Sequence, residues 1–193
     1  MANTNAPFGL RPVRYLSGAP YNGAVNRYYF PSTDSNGPNY IGQLVKPAGS
    51  ASVDGYMTVS GNVTTADLVL GPIVAIEPVS RDSKVYREDD TACYVDVADD
   101  PNLVFEVQDN GASALSAGNV GNTADLTSLT GGSTVTGLSS TVISCATATA
   151  SGDGTEDVLI VGLRNLPDNE YGTYAKWLVR LNNHFFVDGV AGA

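Results

Sequence analysis

Hydrophobic and polar positions alternate with a period of two over short stretches, and turn residues part those stretches at about ten-residue intervals. Over residues 91–97, Cys93, Val95 and Val97 share one face, and Ala92, Tyr94 and Asp96 share the other. Over residues 103–108, Leu103, Phe105 and Val107 face inward, and Glu106 and Gln108 face outward. With Asp99-Asp100-Pro101-Asn102 as the turn, these two runs predict an antiparallel hairpin with one half-wet face. Residues 175–181 set Ala175, Trp177, Val179 and Leu181 against Lys176, Leu178 and Arg180. Further strands are predicted at 25–30, 41–45, 56–59, 142–149 and 157–163, stopped by Pro31, Pro47, Gly61-Asn62 and the turn Ala150-Ser-Gly-Asp-Gly. Gly71-Pro72 breaks the run 68–76 into two short strands with a bulge or bend. No capped helical stripe of useful length is present. The best helical candidates, 112–117 and 123–129, offer one or two turns each.

About eight to eleven short strands with turn spacing predict an all-β fold, an antiparallel β-barrel or jelly-roll-like sandwich with little helix. Strands do not alternate with helices, which excludes a doubly wound α/β domain. No fixed-period repeat points to a solenoid or propeller. Residues 1–16 read as an extended N-terminal arm and residues 17–193 as a single β domain. Pro7 and Pro12 remove backbone donors and push their predecessors out of helical space. On this reading Phe8, Leu10 and Val13 need another surface to bury them.

Charge sharpens the picture. The chain of 193 residues carries a net charge of -10, with only 16% charged residues and 42% hydrophobic ones. An acidic body argues against non-specific nucleic-acid binding, which needs a basic face. The first 46 residues hold Arg11, Arg14, Arg27 and Lys46 against Asp34 alone, whereas residues 77–109 are strongly acidic. Residues 126–152 hold no charge but keep Val135, Leu138, Val142 and Ile143, so they read as strands and loops in a protected setting. No apolar run is long enough to span a bilayer as a helix. The start, Met1-Ala-Asn-Thr-Asn-Ala-Pro, lacks the pattern of a secretory leader, so no membrane partner is expected and Cys93 and Cys145 are expected reduced and buried.

Catalytic chemistry is sparse. His184 is the lone histidine, which excludes a two-histidine metal motif and favours a structural role. No Gly-x-Ser-x-Gly elbow is present, and Gly118-Asn-Val-Gly-Asn-Thr lacks the spacing and lysine of a phosphate loop. Glu88-Asp89-Asp90 and Asp96…Asp99-Asp100 supply oxygen ligands for calcium, or a glycosidase pair, but without the loop pattern either needs. They read as a solvated acidic face. Tyr28-Tyr29 and Tyr171…Tyr174 suit a sugar-binding surface as well as ordinary half-buried strand positions. No catalytic residue, metal ligand or cofactor is expected.

Three segments carry a resemblance: Asn5-Ala-Pro-Phe-Gly-Leu-Arg-Pro-Val-Arg with Tyr21-Asn-Gly-Ala-Val-Asn-Arg-Tyr-Tyr-Phe-Pro; Tyr94-Val-Asp-Val-Ala-Asp-Asp-Pro-Asn-Leu-Val-Phe-Glu-Val-Gln; and Leu166-Pro-Asp-Asn-Glu-Tyr-Gly with Ala175-Lys-Trp-Leu-Val-Arg-Leu-Asn-Asn-His. Together they resemble virion structural proteins of tailed bacteriophages, of the capsid decoration or cement kind. The resemblance implies a non-enzymatic protein, made in the host cytoplasm and carried on the capsid surface of the virion. It implies the major capsid protein as partner, and a homo-oligomer, with a trimer favoured and a dimer next. Capsid binding is then expected from Phe8, Leu10, Arg11, Val13 and Arg14 of the arm and from Phe185 and Phe186 near the end. The alternatives are a head-surface fibre or adhesin that binds host glycans through its tyrosines, a tail tube subunit, and a carboxylate-dependent glycoside hydrolase. A shell protein would need a long helix, and none is readable.

Overall fold

The computed structural model describes residues 3–148 and 154–187, and in it the inward-facing sets of side chains divide between a barrel and a sheet. In chain order the strands are β1 (Arg11–Tyr15), β2 (Asn26–Phe30), β3 (Leu44–Ala51), β4 (Met57–Ser60), β5 (Gly71–Ile76), β6 (Cys93–Val97), β7 (Leu103–Gln108), β8 (Thr123–Ala124), β9 (Leu126–Thr127), β10 (Val142–Ile143), β11 (Val158–Leu163) and β12 (Lys176–Leu181). β2-β4-β3-β5-β6 close a barrel, β1-β7-β12-β11-β8 form an open sheet, and β9 pairs with β10. The fold is all-β and almost wholly antiparallel, as the alternation predicts. Among the described residues the exceptions are a parallel contact between β2 and β4 at Tyr29 and Thr58 and isolated parallel bridges from Ile41 to Leu138, Val69 to His184 and Asp109 to Ile143.

Each sheet has its own core. Tyr28, Phe30, Val45, Val59, Leu70, Ile73, Cys93, Val95 and Val97 fill the barrel. Trp177, Phe105, Leu103, Ile160, Val179 and Leu181 centre the larger cluster on the open sheet. At β12 the inward set Ala175, Trp177, Val179 and Leu181 is buried and Lys176, Leu178 and Arg180 are half-buried, as expected. Apolar burial of this kind contributes roughly 1.5–3 kcal/mol per large side chain.

The predicted hairpin of β6 and β7 does not form. β6 pairs with β2 and β5 in the barrel, and β7 pairs with β1 and β12 in the sheet. The residues between them are a crossover. Asp99 is held to the barrel by Tyr28 Oη at 2.5 Å and by Asn26 Nδ2 at 3.0 Å. Asn102 O accepts from Leu16 N at 2.8 Å, at the end of β1. Nor is one face of β7 wet: all six residues are buried. Gln108 Oε1 accepts from Ala6 N at 3.0 Å, and its Nε2 donates to Thr4 O at 2.7 Å and Tyr174 O at 2.9 Å. Glu106 faces Arg164 Nε at 3.7 Å. Polar groups thus enter the interior with partners supplied from distant parts of the chain.

Other boundaries shift for local reasons. β3 runs through Pro47, which sits at a register break between Pro47 and Ala51 where a missing donor is tolerated. The 68–76 run yields one strand from Gly71, with its break between Ile73 and Ala75. The helical candidates give only a 3₁₀ turn, Ala117–Asn119, capped by Ser116, while 123–129 becomes β8 and β9. One or two turns cannot nucleate themselves, and pairing buries Ala124 and Leu126 instead. Of 142–149 only Val142–Ile143 is a strand, because Thr147 N turns back to Ser144 O. Residue 149 and most of the predicted turn at 150–154 lie outside the described residues.

Candidate functional site

The N-terminal segment is extended, as expected, but it is built into the molecule. Leu10 N donates to Gly42 O at 2.9 Å, and residues 11–15 form the strand β1 against β7. Gly9 and Gly42 cross closely, both at positive φ (73° and 86°), and a Cβ on Gly9 would run into Gly42 and Ser139. Leu10 is 2% exposed within the sheet core, and Phe8 is buried too. The expectation that these side chains need a neighbour's surface is therefore corrected: Gly42, β7 and the chain's own core supply it.

The other expected binding residues fall in different settings. Arg11 is exposed, and its guanidinium stacks over the Phe8 ring at 4.5 Å. Val13 and Arg14 are half-buried, and Arg14 Nη1 donates to Tyr15 O at 3.2 Å. An apolar groove of about 200 Å³ opens beside them, lined among others by Phe8, Arg11, Pro12, Ile41, Val74 and Leu138. At the other end, Phe185 N donates to Val69 O at 2.9 Å, and Phe185 packs on the barrel core. Phe186 and Val187 are each about half exposed. His184 is buried, its Nδ1 accepting from Phe186 N at 3.2 Å, so it orders this segment.

The acidic residues act one by one. Asp96 faces Arg27 Nε at 3.6 Å, Asp99 is bound as described, Asp100 caps Asn102 N at 2.7 Å, and Asp89 accepts from Gly37 N at 3.0 Å. Among the described residues no three His, Cys, Asp or Glu side chains converge as a metal ion would require. Two charged groups that no sequence motif singles out are deep inside. Arg87 is 2% exposed; it reaches Asp34 O at 2.9 Å, Asn39 Oδ1 at 2.7 Å and Thr91 O at 2.8 Å, and lies over Phe30 at 4.6 Å. Asp109 accepts from the backbone N of Gly111, Tyr174 and Ala175 and from Trp177 Nε1. Both side chains are satisfied where they stand and hold the framework.

The tyrosines do not gather as their sequence pairs suggest. Tyr28 points into the barrel, where burial and then Asp99 raise its pKa, and Tyr171 packs on Trp177 at 5.8 Å. The aromatic cluster on the outer surface is Tyr29, Tyr56 and Tyr94. Tyr94 lies 5.2 Å from Tyr29 and 5.5 Å from Tyr56 between ring centroids. The Tyr94 hydroxyl donates to Asp54, which holds the phenol above its usual range. Arg27 stacks on Tyr94 at 5.5 Å. The fold brings these residues together from three parts of the chain; only the face of Tyr94, opposite to Cys93, Val95 and Val97, was legible beforehand.

No family model matches the chain, and no curated protein or solved structure does either.

Proposed function

We propose that this chain is a structural protein of a tailed-bacteriophage virion, a capsid decoration protein that binds the outside of the head and bridges major capsid protein subunits. One observation carries the reading. The three segments of the resemblance lie far apart in sequence, yet they supply β1, β7 and β12, which are consecutive neighbours in the open sheet, and β2 with most of β6, which pair antiparallel in the barrel. The resemblance thus falls on paired strands of the sheet and the barrel, with the buried Trp177 among them, rather than on scattered surface loops.

The protein acts by binding, without catalysis, nucleic acid or cofactor. Its rigid parts are the barrel and the sheet, stiffened by buried polar contacts. Its contact groups are those left exposed. Arg11, fixed on the Phe8 ring, offers a forked donor to a carboxylate of a shell subunit. The groove beside it takes an apolar side chain from the same subunit, with Phe8 and Leu10 shaping its wall from inside. Phe186 and Val187 add a second apolar contact. Such small contacts are weak singly, and a cyclic homo-oligomer, with a trimer favoured over a dimer, multiplies them through effective concentration. A cryo-EM map of the intact virion tests the assignment: density for this chain on the outer face of the head supports it, and density in the tail tube overturns it.

A further inference from the structure

We propose that the outer face of the barrel is a carbohydrate-binding site, in which Tyr29, Tyr56 and Tyr94 receive a neutral oligosaccharide. The inference stands apart from capsid binding, because none of these residues belongs to the surface assigned above.

Strand parity places the rings. On β2, Tyr28 and Phe30 fill the barrel, so Tyr29 points outward; on β6, Cys93 and Val95 fill it, so Tyr94 points outward. Tyr29 and Tyr94 are direct cross-strand partners, and Tyr29 also pairs with Thr58 on β4, next to Tyr56. The core does not use these three rings, and Tyr56 is 40% exposed. Aromatic faces at the surface suit the C–H faces of a pyranose ring, which are apolar and weakly positive. Sugar hydroxyls also need fixed polar groups around the ring. Asp54 is held by the Tyr94 hydroxyl, and Arg27 is held over Tyr94 by Asp96 at 3.6 Å and Glu77 at 3.5 Å. These groups are oriented before any ligand arrives, which lowers the ordering cost of binding.

The charge balance selects the occupant. Three carboxylates (Asp54, Glu77 and Asp96) surround the rings against one guanidinium, Arg27. That rim repels sialylated or uronic acid glycans and nucleic acid. A second copy docked on the same face about a two-fold axis would set carboxylates against carboxylates. A neutral saccharide meets neither penalty, and its hydroxyls donate to the carboxylates.

Isothermal titration of the full-length protein with neutral gluco-, galacto-, manno- and N-acetylglucosamine oligosaccharides tests this. At least one series binds, and Tyr94→Ala and Tyr29→Ala each weaken it by about tenfold, or about 1.4 kcal/mol. Tyr171→Ala leaves binding unchanged, Tyr94→Phe keeps it within a few-fold, and moderate salt has little effect. Circular dichroism melts confirm that each variant is folded. The proposal is overturned if no neutral series binds, if only anionic glycans bind, or if binding survives Tyr94→Ala in the folded protein. It is also overturned if light scattering shows that Tyr94→Ala dissociates an oligomer without affecting any saccharide.

Discussion

Trp177 Nε1 donates to Asp109 Oδ2 at 3.0 Å, and both side chains are fully buried. The same carboxylate takes backbone donors from Tyr174 and Ala175, so it fixes the entry into β12 as well as the indole. Removing it leaves several buried N–H groups unsatisfied at once. Asp109→Ala is expected to cost about 3–5 kcal/mol of stability. Asp109→Asn, which keeps one acceptor oxygen, costs less. Urea unfolding followed by Trp177 fluorescence measures both.

The N-terminal segment is a structural part of the sheet. Leu10→Ala should cost about 2–5 kcal/mol, as expected for a large side chain taken from a packed core. Deleting residues 1–14 removes most of β1, exposes the edge of β7 and strips partners from Gln108. The truncated chain is expected to lose cooperative thermal unfolding and to aggregate. A truncated protein with an unchanged melting temperature would show that the segment contributes nothing to the fold.

Lys46 and Asp67 give the barrel a pH dependence. Burial alone would raise the Asp67 pKa, but the Lys46 ammonium at 2.7 Å, with the amide and hydroxyl of Thr64, holds it below the usual 3.8. Folding therefore favours the charged carboxylate. Its stabilisation is complete above the unfolded value and fades as pH falls through the lower folded value. Asp67→Asn should lose about 1 kcal/mol at pH 7. The gap from the parent chain should close below about pH 4 in melts taken across the acid range.

Cys93 and Cys145 are both free and buried. Burial pushes the Cys93 thiol up to about 11, despite Arg87 nearby. Thiolate, the reactive form, is scarce there at neutral pH. Neither cysteine should react with an aromatic disulfide reagent in the native protein, and both should react in denaturant.

Alternation showed which side chains of a strand share a face, and Cys93, Val95 and Val97 are inside the barrel as it implied. It carried no information about partners. β6 and β7 look like a hairpin because an Asp-Asp-Pro-Asn turn suits one, yet the bonds that anchor that turn come from Tyr28, Asn26 and Leu16. The same limit hid the burial of Gln108, whose partners Thr4, Ala6 and Tyr174 are remote in sequence. Arg87 sits in an acidic stretch, and nothing around it in the sequence marks it for burial. Only the folded barrel brings Asp34, Asn39 and Phe30 around it. At the expected binding surface, Arg11 and Phe186 are exposed as that role needs. Phe8 and Leu10 are not, because Pro7 and Pro12 favour extended backbone equally well in a free arm and in a docked one.

Mixing the purified protein with undecorated phage heads and sedimenting them tests the central claim most directly. The protein is expected in the pellet at a saturating ratio to the major capsid protein, and the folded double variant Arg11→Glu, Phe186→Asp is expected in the supernatant. Parent protein that stays in the supernatant at every concentration, or a double variant that pellets equally well, would contradict the account.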